Sequence, residues 1–282
     1  MLRFAVAFVG LCCSTMSTIA GPYPHAVPKL HDGPLIWRIA DRLEKSPLDR
    51  LLPYIGPQGH EPGGAAAVPE YDETIERSRI ANSADRLLKP EDQQLKELEN
   101  MLETYRQSGE RTGAGLFKLV VASRRFDGGH YSNWRQMTVM DYYLTALDQW
   151  ARVVPGSKFV GPIKAMMLVN KAHVAMSAPY PDDKLKTPPD PMSFLKEAQD
   201  VLLADKAGRE LNPVWHYMMI KVRAGQGANT NEILLLLDEG SNRFPLVLDI
   251  YTGAAEAILA SSQTPVRDVA AIAHLAGIRA AS

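Results

Sequence analysis

The sequence predicts an all-α protein of irregular, stacked helical hairpins, preceded by an extended arm rich in proline and glycine. Apolar residues recur at helical spacing through most of the chain, and no segment alternates with a period of two for long enough to indicate a strand. Three helical segments also end at a proline and are followed by another helical segment. These joints are Val153-Val154-Pro155, Leu211-Asn212-Pro213 and Arg243-Phe244-Pro245. Because proline rarely continues a helix but suits the first turn of a new one, each joint predicts two helices folded back on each other.

Residues 1–20 have the pattern of a secretory signal peptide. Arg3 supplies a positive charge, an apolar run follows from Phe4 to Cys13, and small residues precede Gly21. The apolar run is too short for a transmembrane helix. We therefore expect cleavage before Gly21 and export to the periplasm or the exterior of a Gram-negative bacterium, with no membrane insertion of the mature chain.

Composition narrows the classes of function. The 282 residues are enough for one or two domains with a substantial core, and the formal net charge of −1 gives no basis for binding nucleic acid. Both cysteines, Cys12 and Cys13, lie in the leader, so we expect no disulfide and no cysteine-ligated metal in the mature protein. His25, His31 and His60 lack the tight spacing of metal ligands, so we expect neither a metal nor a cofactor.

Residues 21–70 form the predicted arm. It is rich in proline and glycine, and we expect two short helices within it, the second beginning at Ser46-Pro47. The segment from Gly56 to Gly64 has the composition of a flexible loop. We expect Trp37 and Tyr54 to hold the arm along the body of the protein.

Residues 71–282 form the predicted α-helical repeat-like domain. Its first part contains a helix that begins near Lys89-Pro90, carries an apolar stripe and ends at Ser108-Gly109. The apolar segment from Leu116 to Ala122 is predicted as a helix because its neighbours are helices. A turn of polar and aromatic residues, Arg124 to Trp134, follows it.

Later helices are predicted from their capping residues. A side-chain oxygen at the cap position accepts a hydrogen bond from a backbone N–H in the first helical turn, where no intrahelical partner exists. Such starts occur at Thr138, Asp190-Pro191, Asn212-Pro213, Thr230 and Thr264-Pro265. Further helical runs follow Pro155 and Pro245.

The segment around Pro245 resembles a tetratricopeptide repeat. Ile233, Leu237, Gly240 and this proline match the pattern of the second repeat helix, and Tyr251 begins the first-helix positions of a following repeat. Pro213 and Pro245 are 32 positions apart, within the range of periods that indicates stacked helical hairpins.

The proline joints also look like those of an uncharacterised family of secreted and cytoplasmic bacterial proteins with helical pairs. Two residues depart from the repeat pattern. Trp150 occupies the small-residue position before Pro155, and Asp205 occupies the apolar position before Pro213. We therefore expect an irregular arrangement, and the resemblance implies no catalytic residues.

Five residues are candidate binding residues. In a helical solenoid, polar or aromatic residues that interrupt an apolar face can line an extended groove. The candidates are Asn170, His173, Trp215, His216 and Tyr217. The alternative interpretation places the histidines His173 and His216 in the core with satisfied hydrogen bonds.

Two weak patterns suggest a different function, a cell-envelope hydrolase. Asp127 and His130 flank two glycines and could act as an acid–base pair on a mobile turn. Ser193 and Lys196 have the Ser-x-x-Lys spacing of penicillin-recognising enzymes, but the companion motifs of those enzymes are missing. We therefore predict a non-enzymatic, exported scaffold or immunity-type protein that binds another protein or a peptide, with the hydrolase as the alternative.

Overall fold

A computed structural model describes residues 73–127, 135–177, 189–261 and 265–281. These ranges contain eleven α-helices and no strand, so the predicted all-α class is confirmed for the described part of the chain. In order, the helices are α1 (Glu73–Leu87), α2 (Asp92–Ser108), α3 (Lys118–Arg124), α4 (Arg135–Val153), α5 (Val160–Ser177), α6 (Pro191–Ala204), α7 (Lys206–Leu211), α8 (Pro213–Gly225), α9 (Thr230–Arg243), α10 (Leu248–Ser261) and α11 (Pro265–Ala281).

The helices fall into two compact units. One lies within Tyr71–Ala228 and holds α1 to α8; the other lies within Asn229–Ser282 and holds α9 to α11. The predicted signal peptide and the predicted arm, residues 1–70, lie outside the described residues. None of the described helices combines the length and the apolar composition needed to cross a membrane.

Helices α4 and α5 form an antiparallel hairpin. Lys171 of α5 pairs with Asp141 of α4 at 2.6 Å, and Lys164 pairs with Asp148 at 2.7 Å. The lysine that comes later in the sequence pairs with the aspartate that comes earlier, so the two helices run in opposite directions. The short joint between them, which we call the α4–α5 turn, spans residues 154–159 and includes Gly156 with a left-handed φ of 82°.

Helix α6 is antiparallel to both α5 and α8. The Lys171 ammonium lies 4.9 Å from the ring of Phe194 at the start of α6, while Gly161 at the start of α5 approaches Asp205 just after α6. Trp215 at the start of α8 donates to the carbonyl of Leu202 near the end of α6. Successive helices therefore pack as hairpins, although the tetratricopeptide-like arrangement itself stays a prediction.

Large apolar side chains fill the interior of the first unit. Trp150 and Trp215 are at most 2% exposed, and Phe126, Phe159 and Leu202 are also buried. Burying one such side chain contributes roughly 1.5–3 kcal/mol relative to leaving it in water. The apolar stripes predicted from the sequence therefore contribute to the hydrophobic core of the first unit.

In the second unit, α10 packs against both α9 and α11. Tyr251 of α10 is 1% exposed, and its hydroxyl donates to the carbonyl of Pro245 at 2.9 Å. Arg279 of α11 donates to Asn242 at 2.6 Å and lies 3.2 Å from a carboxylate oxygen of Asp238, both on α9. This arginine therefore connects the last helix to the first one of the unit.

The predicted helix starts are mostly correct to within a few residues. Asp190 and Asn212 accept hydrogen bonds from Met192 and Val214 N–H, each with a proline at the first helical position, as predicted. Helix α4 begins at Arg135, three residues before the start predicted at Thr138. The side chain that caps α9 is that of Asn229, not Thr230, because its amide oxygen reaches Glu232 N–H at 3.1 Å.

Candidate functional site

Two of the five candidate binding residues, Trp215 and His216, lie in the interior. They are 2% and 1% exposed, and their rings are in edge-to-face contact with centroids 5.0 Å apart. The indole N–H donates to Leu202 O at 2.8 Å, and His216 Nε2 lies 2.9 Å from the carbonyl of Arg209. These contacts favour a structural role for both residues, in line with the core reading of the histidine.

The other two polar candidates, Asn170 and His173, occupy different faces of α5. Asn170 is 7% exposed and donates to the carbonyl of Phe126 at 2.9 Å, which ties the end of the α3 segment to α5. His173 is exposed on the outer face of α5. Of these two residues only His173 is thus placed where a partner could reach it.

Tyr217 belongs to a polar cluster at the C-terminal end of the α3 segment. Its ring is largely buried, and its hydroxyl donates to Asp127 at 2.8 Å. The Lys221 ammonium lies 3.1 Å from the same hydroxyl and 3.3 Å from Asp127, and the Arg124 guanidinium lies 3.9 Å from it. The Asp127 carboxylate is therefore held by α8, while its predicted partner His130 lies outside the described residues.

Ser193 and Lys196 have separate partners on α6. The Ser193 hydroxyl donates to the carbonyl of Asp190 at 2.6 Å, as expected for a serine in a first helical turn. The Lys196 ammonium forms an exposed ion pair with Asp200 at 2.6 Å. These contacts give the pair no specific support as a nucleophile and its activating base.

A small concave site that the sequence motifs did not reveal lies beside the α4–α5 turn. We call it the notch; its volume is about 230 Å³. Its lining is mostly small or β-branched and includes Ala151, Gly156, Ser157, Gly161, Ala204 and Asp205. Asp205 is the one acidic side chain in this lining.

Asp205 is crowded by two helical glycines. A Cβ atom at Gly161 would lie 2.5 Å from Asp205 Oδ2 and 2.9 Å from its Cβ, and a Cβ at Gly208 would also collide with the carboxyl. Asp205 Oδ1 accepts from Gly208 N–H at 2.7 Å and so caps α7. The other oxygen, Oδ2, is inaccessible to solvent and has no hydrogen-bond partner among the described residues.

Burial raises the pKa of the Asp205 carboxyl above its ordinary value of 3.8, and the hydrogen bond from Gly208 N–H opposes that rise. Across the α4–α5 turn, burial likewise raises the pKa of Glu99, despite hydrogen bonds from Ser157 and Trp150 that favour its charged form. Carboxyls with raised pKa values near a cavity are the usual markers of a functional site. The sequence indicates Asp205 only as an acidic residue at an apolar position of the repeat pattern. Its burial beside the notch could not be predicted from that pattern.

The surface around Lys171 brings three helix ends together. Lys171 contacts Asp141 near the start of α4 and Phe194 near the start of α6. We call this surface the Lys171 end, and three large apolar side chains from the same helix ends are about half exposed: Tyr142, Met176 and Met192. Exposed large apolar side chains that form a contiguous patch are typical of contact sites for other macromolecules, so these three residues make the Lys171 end a candidate for such a site.

No three His, Cys, Asp or Glu side chains come together as a metal site among the described residues. Comparison with protein families, with curated proteins and with solved structures finds no significant similarity. The resemblance to tetratricopeptide repeats therefore stays a prediction carried by the sequence pattern alone.

Proposed function

We propose that this chain is an exported, non-enzymatic helical-repeat protein that binds another protein or a peptide, as a scaffold or as an immunity-type binder. The Lys171 end carries the proposal. Three antiparallel helices present Tyr142, Met176 and Met192 to solvent beside the exposed His173. An aromatic ring and two flexible thioethers are well suited to contact a partner surface, because methionine adapts its shape and tyrosine offers both a ring and a hydroxyl.

The alternative, a cell-envelope hydrolase, draws on Asp127, Ser193 and Lys196, while His130 lies outside the described residues. Among the described residues, Asp127 accepts from Tyr217, Ser193 donates to Asp190, and Lys196 pairs with Asp200. None of these contacts places a nucleophile beside an activating base.

Binding can be tested with two matched variants. The double change Met176→Ser and Met192→Ser removes apolar surface at the Lys171 end, whereas Leu203→Ser removes an equally exposed side chain at the opposite end of α6. We expect affinity capture from a host envelope extract, followed by mass spectrometry, to lose its partner with the double variant and to keep it with Leu203→Ser. Equal capture by both variants, with unchanged circular dichroism, would contradict the Lys171 end as the contact surface.

Export has its own test. We expect N-terminal sequencing of the protein purified from its native host to begin at Gly21. A mature protein that begins at Met1 would exclude cleavage of the predicted signal peptide.

A further inference from the structure

The strongest unexplained feature is the Asp205 carboxyl between Gly161 and Gly208. Both glycines sit in helices, where alanine would be favoured by about 1 kcal/mol, so their presence is explained by the close approach of the carboxyl. One carboxyl oxygen caps α7, and the other is buried with no hydrogen-bond partner among the described residues. A neutral carboxyl can be accommodated in such a place far more easily than a charged one.

Among the described residues, no cation forms an ion pair with this carboxyl. Lys158 of the α4–α5 turn pairs with Glu103 at 3.1 Å, and Lys164 of α5 pairs with Asp148 at 2.7 Å. Other charged or titratable side chains of the surrounding helices include Arg152 on α4, Asp200 on α6, Lys206, Arg209 and Glu210 on α7, and His216 on α8. Burial and the Gly208 N–H, not any of these charges, set the pKa of Asp205.

The notch provides space into which the ionised Asp205 carboxylate can move. Asp205 lines the notch, so a rotation of its side chain can carry the carboxylate from between the glycines toward the open space beside Ala151 and Ser157. Such a rotation breaks the hydrogen bond with Gly208 N–H and so removes the cap of α7. The position of the carboxyl is thereby linked to the order of a short helix.

We propose that Asp205 is a proton-sensitive contact: protonated, it stays between Gly161 and Gly208 and keeps α7 capped, and ionised, it turns into the notch and loosens α7. The sign follows from burial. A group that is harder to ionise in the folded than in the unfolded state stabilises the fold in acid and loses that contribution as the pH rises through its folded-state pKa. The shape of the notch and the order of α7 therefore change as the pH rises through the folded-state pKa of Asp205.

The contact of Asp205 with α7 also affects the joint between α7 and α8. Helix α7 leads directly into Asn212 and α8, and Arg209 of α7 supplies the carbonyl that His216 contacts. Loosening α7 at neutral pH should therefore weaken the support of the α8 start. This device is independent of the proposed protein-binding surface, which lies at the other end of α5 and α6.

The test is a pH titration of backbone amides by ¹H–¹⁵N NMR on the full mature chain. In the wild type we expect the Gly208 and Gly161 amides to shift with a midpoint above 3.8. Asp205→Asn should abolish this titration, because the amide side chain can still accept from Gly208 N–H but does not ionise. Asp200→Asn, which changes an exposed carboxyl on the same helix, should leave it unchanged.

Thermal unfolding gives a second readout. The melting temperature of Asp205→Asn minus that of the wild type should increase as the pH rises from 4 to 7, and Asp205→Ser, another capping residue, should show the same trend. The proposal is overturned if the Gly208 amide titrates at or below the ordinary aspartate value. It is also overturned if the same titration persists in Asp205→Asn, which would assign it to another group.

Discussion

Asp205 and Asn212 hold two neighbouring joints of the same unit, and they differ in one respect. Both residues cap a helix: Asp205 accepts from Gly208 N–H at 2.7 Å, and Asn212 accepts from Val214 N–H at 3.0 Å. Asn212 also donates from its amide nitrogen to the carbonyl of Lys158 on the α4–α5 turn at 3.0 Å. The corresponding atom of Asp205, Oδ2, has no partner among the described residues.

The difference shows what a buried cap requires. Asn212 is 1% exposed, and its amide can be buried because the oxygen accepts from one backbone N–H and the nitrogen donates to one backbone carbonyl. A carboxylate can only accept hydrogen bonds. Burial with a single backbone donor, as at Asp205, therefore favours the neutral carboxyl over the charged one. A cap that is independent of pH thus lies seven positions from one that we propose to depend on it.

The largest expected effect comes from the side chain that connects these two joints. The backbone N–H of Trp215 donates to the carbonyl of Asn212, and its indole N–H donates to the carbonyl of Leu202, three residues before Asp205. We expect Trp215→Ala to lower the free energy of unfolding by about 3–5 kcal/mol in urea denaturation, because a large buried ring is lost. Trp215→Phe, which keeps most of the packing, should cost less; equal losses would show that the indole hydrogen bond dominates.

Asn212→Asp converts the satisfied joint into one like that of Asp205. The new carboxylate could still cap α8 but would leave the Lys158 carbonyl without its donor, so we expect a loss of about 2–3 kcal/mol at neutral pH. The loss should shrink in acid, measured by urea denaturation at pH 4 and pH 7. Asn229→Asp, at an exposed cap, is the control and should change stability by less than about 1 kcal/mol. A pH-independent loss at residue 212 would remove the contrast between the two joints.

Gly161→Ala tests the close approach on the other side of Asp205. Its new methyl group would meet Asp205 Cβ at 2.9 Å, an atom that cannot move without the backbone, so we expect a loss of about 1–3 kcal/mol. Gly277→Ala is the matched control, because no atom lies within 4 Å of its would-be Cβ and alanine suits a helix better. Thermal melts in which both variants are stabilised would show that the packing of Asp205 does not require glycine at position 161.

The smallest effect is expected at Glu103, the paired carboxyl near the same turn. Its hydrogen bond with Arg106, aided by Gln107 and Lys158, lowers its pKa to about 2. A lowered folded-state pKa stabilises the fold above the unfolded value of 4.5, and that contribution is lost as the pH falls toward 2. Because the pair is partly exposed, Glu103→Gln should cost less than about 1 kcal/mol at pH 7 by urea denaturation. The difference from wild type should vanish near pH 2, the opposite of the trend expected for Asp205→Asn.

Much of the fold was predictable because its signals are local. The caps at Asp190 and Asn212 and the end of α2 at Gly109, whose φ is 62°, depend on residues within one turn of the chain. The start of α4 was predicted three residues late, because the Thr138 pattern lies inside the helix, which already includes Arg135.

The candidate site was much less predictable. Trp215 and His216 looked like groove residues, but their burial depends on α6 and α7 packing over them, which no local pattern encodes. The sequence singled out Asp205 only as a departure from a repeat pattern. Its raised pKa follows from burial. One of the residues packed against it, Gly161, is 44 positions away in the sequence and becomes a neighbour only after the hairpin forms.

The anchoring of α11 by Arg279 has a practical meaning for anyone handling this protein. The guanidinium that joins Asn242 and Asp238 belongs to the last turn of the helix. Loss of the last turn of α11, for example by proteolysis, would remove the hydrogen bond and the ion pair that connect α11 to α9. Purified samples should therefore be checked by intact mass before their stability is compared.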